Sequence, residues 1–181
     1  FSCTNNGNTS YYLHYLNTKV SLMPKIFVSY RRSDSQERTM RIADWLILKY
    51  GKENVFIDVD RIPGAVDFKD IIEESLNQSD VLIVVIGYTW VAELVNRKDS
   101  PSDYVRLEVT KGLQDNKIVI PVLLERDVHI QTDRLPEGIR PLTRLNYMYA
   151  RLTDFHKDMD LIKNTIDELV AHSKPATLTR L

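Results

Sequence analysis

Five short apolar runs recur along the chain, separated mostly by stretches whose apolar residues follow a helical rather than an alternating spacing. Residues 25–30 (KIFVSY) are β-branched and aromatic and run into polar RRSDS, the pattern of a buried strand entering a loop. Residues 54–58 (NVFID), 80–87 (DVLIVVIG), 117–124 (KIVIPVLL) and 146–150 (NYMYA) read as four more strands. The third is continuously apolar, as suits a central parallel strand covered on both faces. Pro121 cannot donate to a ladder, which points to an edge position or a bulge for the fourth.

Helical periodicity fills most of the gaps. In residues 36–50, Ile42, Trp45, Leu46 and Leu48 among charged neighbours predict an amphipathic helix closed by Gly51. Asp67 is placed to cap a helix with Phe68, Ile71, Ile72, Ser75 and Leu76 inward. A short helix over 89–97 and a second from Ser102 or Asp103 to about Gln114 follow. Residues 153–173 form a long helix with Phe155, Met159, Ile162, Ile166, Leu169 and Val170 inside. Pro63 and Gly64 make 60–66 (DRIPGAV) a loop.

Strands alternating with helices predict a flavodoxin-like α/β fold, a doubly wound sheet of about five parallel strands flanked by helices. Such sheets bind ligands beyond the carboxyl ends of their strands, here Arg31-Arg32, the 60–66 loop and residues 87–103. Residues 23–173 are expected to hold this single domain, with 1–22 an N-terminal extension outside it and 174–181 a tail or linker.

Composition narrows the chemistry. The chain has 24 basic and 25 acidic residues, so no global field draws it to nucleic acid or an anionic membrane. Cys3 is the only cysteine, which excludes an intrachain disulfide framework and a cysteine-based zinc site and suits a reducing cytoplasm. The longest apolar run, Val81–Ile86, has the length of a strand and falls short of the roughly 20 residues that span a bilayer. His14, His129, His156 and His172 are too scattered to suggest a local metal motif. No Gly-x-Gly-x-x-Gly follows the first strand, so no dinucleotide is held in the Rossmann manner. Asp58 and Asp60 raise a phospho-acceptor reading, but that site wants acids after the first strand, where arginines stand. Trp45 and Trp90 read as packing residues.

In the helix after Ser102, Tyr104 and Glu108 share one face at i,i+4, and Val105, Val109 and Leu113 form a second stripe facing the core. Near the sheet's ligand end, that face can hold a glutamate beside an aromatic ring, shielded from water. The plain alternative is a solvated acid pairing with Lys111 or Arg106.

KIFVSYRRSDS, NVFIDVDRIPGAVDF, DVLIVVIG and SDYVRLEV, in this order and spacing, resemble the successive motifs of TIR (Toll/interleukin-1 receptor) domains of bacterial type, and of their NAD-consuming members. The resemblance covers residues 25–172. It implies the TIR fold, with Glu108 at the position of the catalytic glutamate and Tyr104 where these enzymes commonly carry Trp. It further implies that Arg31 and Arg32 line the NAD site, and that Arg61, Ile62, Pro63 and Gly64 belong to a loop bordering it and taking part in assembly.

TIR domains divide into scaffolds and enzymes, and the fold does not choose between them. For an enzyme, NAD⁺ is a substrate and no cofactor or metal is required. Nicotinamide departs neutral, so the barrier lies in an oxocarbenium-like ribosyl centre that a carboxylate stabilises. Water then gives ADP-ribose, and an internal nucleophile gives a cyclic isomer; the residues leave both open. The expected partners are NAD⁺, further copies through TIR–TIR contacts, and other TIR or sensor domains, in cytoplasmic innate immunity or antiphage defence.

Overall fold

A computed structural model describes residues 23–57, 68–97 and 100–173. Strand β1 (Ile26–Ser29) leads directly into helix α1 (Arg32–Tyr50). A 3₁₀ turn then precedes β2 (Val55–Ile57), and α2 (Phe68–Gln78), β3 (Val81–Ile86), α3 (Trp90–Asn96), α4 (Tyr104–Gln114) and β4 (Ile118–Leu123) follow. Two 3₁₀ segments, Thr132–Arg134 and Glu137–Arg144, precede β5 (Met148–Tyr149) and α5 (Phe155–Ser173). The five strands form one all-parallel sheet in the order β2-β1-β3-β4-β5, flanked by helices, as the alternating pattern predicts.

Alternation along the strands divides the core in two. Ile26 and Val28 of β1 and Val81, Ile83 and Val85 of β3 pack with Ile42, Leu46 and Tyr50 of α1 and Met159, Ile162 and Ile166 of α5. Phe27, Leu82, Val84 and Ile86 face the other way, onto Leu76 of α2, Trp90 and Leu94 of α3, and Val109 of α4. Val105 and Leu113, the ends of the predicted stripe on α4, pack half-buried against this second cluster. Trp45 and Trp90 are both buried packing residues. Gly51 closes α1 at φ 89°, a left-handed conformation that a side chain resists, with its N–H donated to Ile47 O.

Several expectations are corrected. Helix α1 begins at Arg32, so RRSDS is not a loop: Arg31 O accepts from the N–H groups of Asp34 and Ser35, and Asp34 lies in the dipole-favoured first turn. A kink at Ser35 (φ −146°, ψ 15°) separates this turn from the rest. Strand β4 is not at an edge, since β5 flanks it; but β5 pairs only with Val122 and Leu123, so the second ladder starts beyond Pro121. Leu48 and Leu169 are exposed, because each stands off the inward stripe of its helix. The 3₁₀ segments after β4 have no expected counterpart, although Leu135, Ile139 and Leu142 fill the second core cluster. Pro136, Gly138 and Pro141 interrupt the helical signal there. Asp58, Asp60 and Asp67, and the side chains of Phe68 and Ile71, lie outside the described residues. Among these residues, no helix is long and apolar enough to cross a membrane.

Candidate active site

The end of β1 and the start of α4 meet at a cleft of about 370 Å³, within the roughly 300–1,000 Å³ usual for small-molecule sites. Tyr30, Arg31, Arg32 and Ser33 line it from the β1–α1 junction, and Ser102, Asp103, Tyr104, Val105 and Glu108 from α4 and its approach. Ile72 of α2 and Arg97 at the end of α3 complete the wall. The cleft therefore stands at the carboxyl end of the sheet, where a doubly wound topology leaves loops and helix starts to converge.

Helix α4 presents its two predicted residues together because four positions make about one turn. Glu108 is 8% exposed and Tyr104 half-buried, so the solvated reading of Glu108 is not the one realised. Lys111, one of its candidate partners, instead bridges Asp115 at 3.0 Å and Glu73 at 3.6 Å. A second hollow of about 300 Å³ opens between α2 and α4, and Ile72, Tyr104 and Glu108 belong to the walls of both.

Arg31 and Arg32 diverge on leaving the strand. Arg31 is 5% exposed, and its Nη2 donates to both carboxylate oxygens of Asp103, at 2.9 and 2.8 Å. Asp103 is the N-cap of α4, its Oδ1 accepting the Arg106 N–H at 3.3 Å. Arg32 is exposed at the first position of α1. Asp34 ties this junction to the end of β3, accepting from the Gly87 N–H at 2.8 Å and from the Thr89 N–H and hydroxyl at 2.7 and 2.9 Å. Arg97 pairs with Glu93 across one helical turn at 3.2 Å.

Of the expected site residues, Glu108, Tyr104, Arg31 and Arg32 share the cleft, while Arg61, Ile62, Pro63 and Gly64 lie outside the described residues. Sequence reasoning missed Arg97, Ser33 and Ser102 as wall residues and treated Asp103 only as a possible cap. The ligand-end rule did reach the segment carrying Arg97, Ser102 and Asp103. Nothing in the spacing marks Asp103 as a partner of Arg31.

The family model for the TIR domain matches residues 26–163, from β1 into α5. The chain belongs to the TIR domain family. Among curated relatives of this TIR domain is the NAD(+) hydrolase sarm1 of Drosophila melanogaster, 29% identical over 121 residues. That match takes in 67% of the chain but 9% of the fly protein, so the chain spans under a tenth of that relative. Among solved structures, the TIR domains of the activated Roq1 resistosome directly recognizing the pathogen effector XopQ superpose with TM-score 0.60 at 15% identity, over 79% of this chain and 99% of that one. A prokaryotic SEFIR domain superposes with TM-score 0.52 at 19% identity, over 87% and 97%. At these identities the structural likeness establishes the fold.

Proposed function

We propose that this TIR domain cleaves the bond between nicotinamide and ribose in NAD⁺, with Glu108 as the catalytic carboxylate. The observation that carries the reading is the withdrawal of Glu108 from solvent in a cleft it shares with Tyr104 and an exposed arginine. The named activity of the fly relative supports it from a second side. In the reaction the C1′–N bond breaks and its electron pair leaves with neutral nicotinamide. The ribosyl centre becomes positive, and a carboxylate already in place and poorly hydrated stabilises it more than water would. Water attacks C1′ and loses a proton, giving ADP-ribose, nicotinamide and H⁺; attack by a nucleophile of the same molecule gives the cyclic isomer. Tyr104 offers a ring face beside the reacting ribose, and Arg32 a guanidinium fork for the diphosphate. The reading includes self-association through TIR–TIR contacts, in immune or stress signalling.

The test is nicotinamide release from NAD⁺ by the purified chain, across protein concentrations, beside Glu108→Gln. Loss of one transition-state-stabilising group is expected to lower the rate on the order of 10²–10³-fold while the thermal melt stays cooperative. Equal release by both proteins refutes the role of Glu108, and none from either when clustered on beads refutes the enzyme and leaves an interaction module.

A further inference from the structure

Resting on that reading, we propose that Arg31 and Asp103 are a positioning pair that fixes how α4 presents Tyr104 and Glu108, and that Arg32 alone of the two arginines meets the substrate. Arg31 and Asp103 are separated by 72 residues in the chain and joined at 2.8 Å, with side chains 5% and 1% exposed. The Arg31 charge is thus met inside the protein. Its Nε is sealed from solvent and finds no acceptor among the described residues, so neither Nε nor the Nη2 bonded to Asp103 is open to donate to a ligand. Arg32, exposed on the cleft wall, is placed to do so.

Asp103 works in two directions at once. Its carboxylate holds the end of β1 through Arg31 and the first turn of α4 through the Arg106 N–H, while its own carbonyl accepts the Leu107 N–H at 3.1 Å. Arg106 reinforces the approach by donating from Nη2 to Ser100 O at 2.9 Å. Tyr104 is the next residue and Glu108 lies five beyond Asp103 on an unbroken helix. A helix transmits a slip or rotation of its first turn to the turn above, and about 1 Å of misplacement at a reacting centre can cost on the order of 100-fold in rate. A buried guanidinium whose partner loses its charge is driven toward water, which would pull on that turn.

Asp103→Asn separates this role from capping, because asparagine caps a helix about as well as aspartate. Amide hydrogen exchange and nicotinamide-release kinetics are measured on wild type, Asp103→Asn, Arg31→Lys and Arg32→Ala. Asp103→Asn is expected to speed exchange of the 104–108 amides about tenfold, with α5 unchanged, and to lower kcat about tenfold or more at nearly constant KM. Arg31→Lys keeps the charge without the planar fork and should fall between wild type and Asp103→Asn. Arg32→Ala should lower kcat/KM about tenfold through KM, with wild-type exchange. Unchanged 104–108 exchange in Asp103→Asn overturns the pair, as does a loss carried by KM in Arg31→Lys. If wild type releases no nicotinamide, the activity falls, and the exchange measurement still decides whether the pair positions α4.

Discussion

Gly87 stands where the end of β3 passes the Asp34 carboxylate, and a double-mutant cycle there tests how the strand ends below the cleft are held together. A Cβ at position 87 would lie 2.6 Å from Asp34 Oδ2 and 2.7 Å from Oδ1, well inside the roughly 3.5 Å of a comfortable contact. Among the described glycines only Gly51 has positive φ, so Gly87→Ala meets no backbone strain and acts through this contact alone. The carboxylate must retreat by close to an ångström, which takes its three hydrogen bonds from 2.7–2.9 Å to the edge of hydrogen-bonding range. Bonds to a charged acceptor contribute about 1.5–3 kcal/mol when shielded; the Gly87 N–H is shielded and the Thr89 pair is exposed, so a loss of about 2–3 kcal/mol is expected. Asp34→Ala should cost a similar amount. In the double variant the methyl group finds no carboxylate to displace, so the pair should cost little more than either alone, a coupling of about 2 kcal/mol. Urea unfolding followed by far-ultraviolet circular dichroism measures all four proteins, and each single change should also lower Tm by about 4–12 °C. Single effects that add to within about 0.5 kcal/mol, or a neutral Gly87→Ala, would refute the reasoning.

Other elements give further expectations. Arg151 donates to Asp158 from its backbone N–H and guanidinium, which holds that carboxyl below its ordinary range against an opposing effect of burial. Stability from a lowered carboxyl is complete above the ordinary value of 3.8 and disappears as pH falls through the folded value, so wild type should lose stability below pH 3.8 more steeply than Asp158→Asn; parallel acid slopes would contradict this. Burial first, then the charge and hydrogen bond of Asp167, push the Tyr50 phenol far above its ordinary 10.0. The unfolded chain ionises there and the folded one does not, so stability should fall as pH rises past about 10, and Tyr50→Phe should flatten that fall at a neutral-pH cost of about 1 kcal/mol. Ile139, fully buried in the 3₁₀ segment, should cost about 2–5 kcal/mol when cut to alanine; a loss under 1 kcal/mol would mean the segment is not part of the core.

The strands and most helices were legible because their burial is periodic. Ile26, Phe27 and Val28, or Val81 through Ile86, are apolar at every position because both faces of the sheet are covered, and that continuity marks central parallel strands in sequence as in space. Pro121 misled because a local rule assumes strands of equal reach. It could not register that β5 is two residues long and leaves part of an interior strand without a second neighbour. Leu48 and Leu169 misled in a similar way, being apolar residues on helices whose inward stripes were already filled.

The site shows where local pattern stops. Periodicity placed Tyr104 and Glu108 on one face of α4, since that depends only on the helix carrying them. What stands opposite the face depends on chain 70 residues away, and spacing holds no record of it. Arg31 and Arg32 make the case sharply: Arg31 is the extended N-cap of α1 and Arg32 its first helical residue, and the two part at this turn from strand to helix. Which one turned inward was fixed by Asp103, a residue legible only as a candidate cap. A buried carboxylate at a helix start can serve the helix and a distant guanidinium together, and only the fold reveals the second duty. The same holds for the chemistry, because an i,i+4 pair becomes a candidate catalytic face only when a strand end and a third element close over it, as β1, α2 and α3 do here.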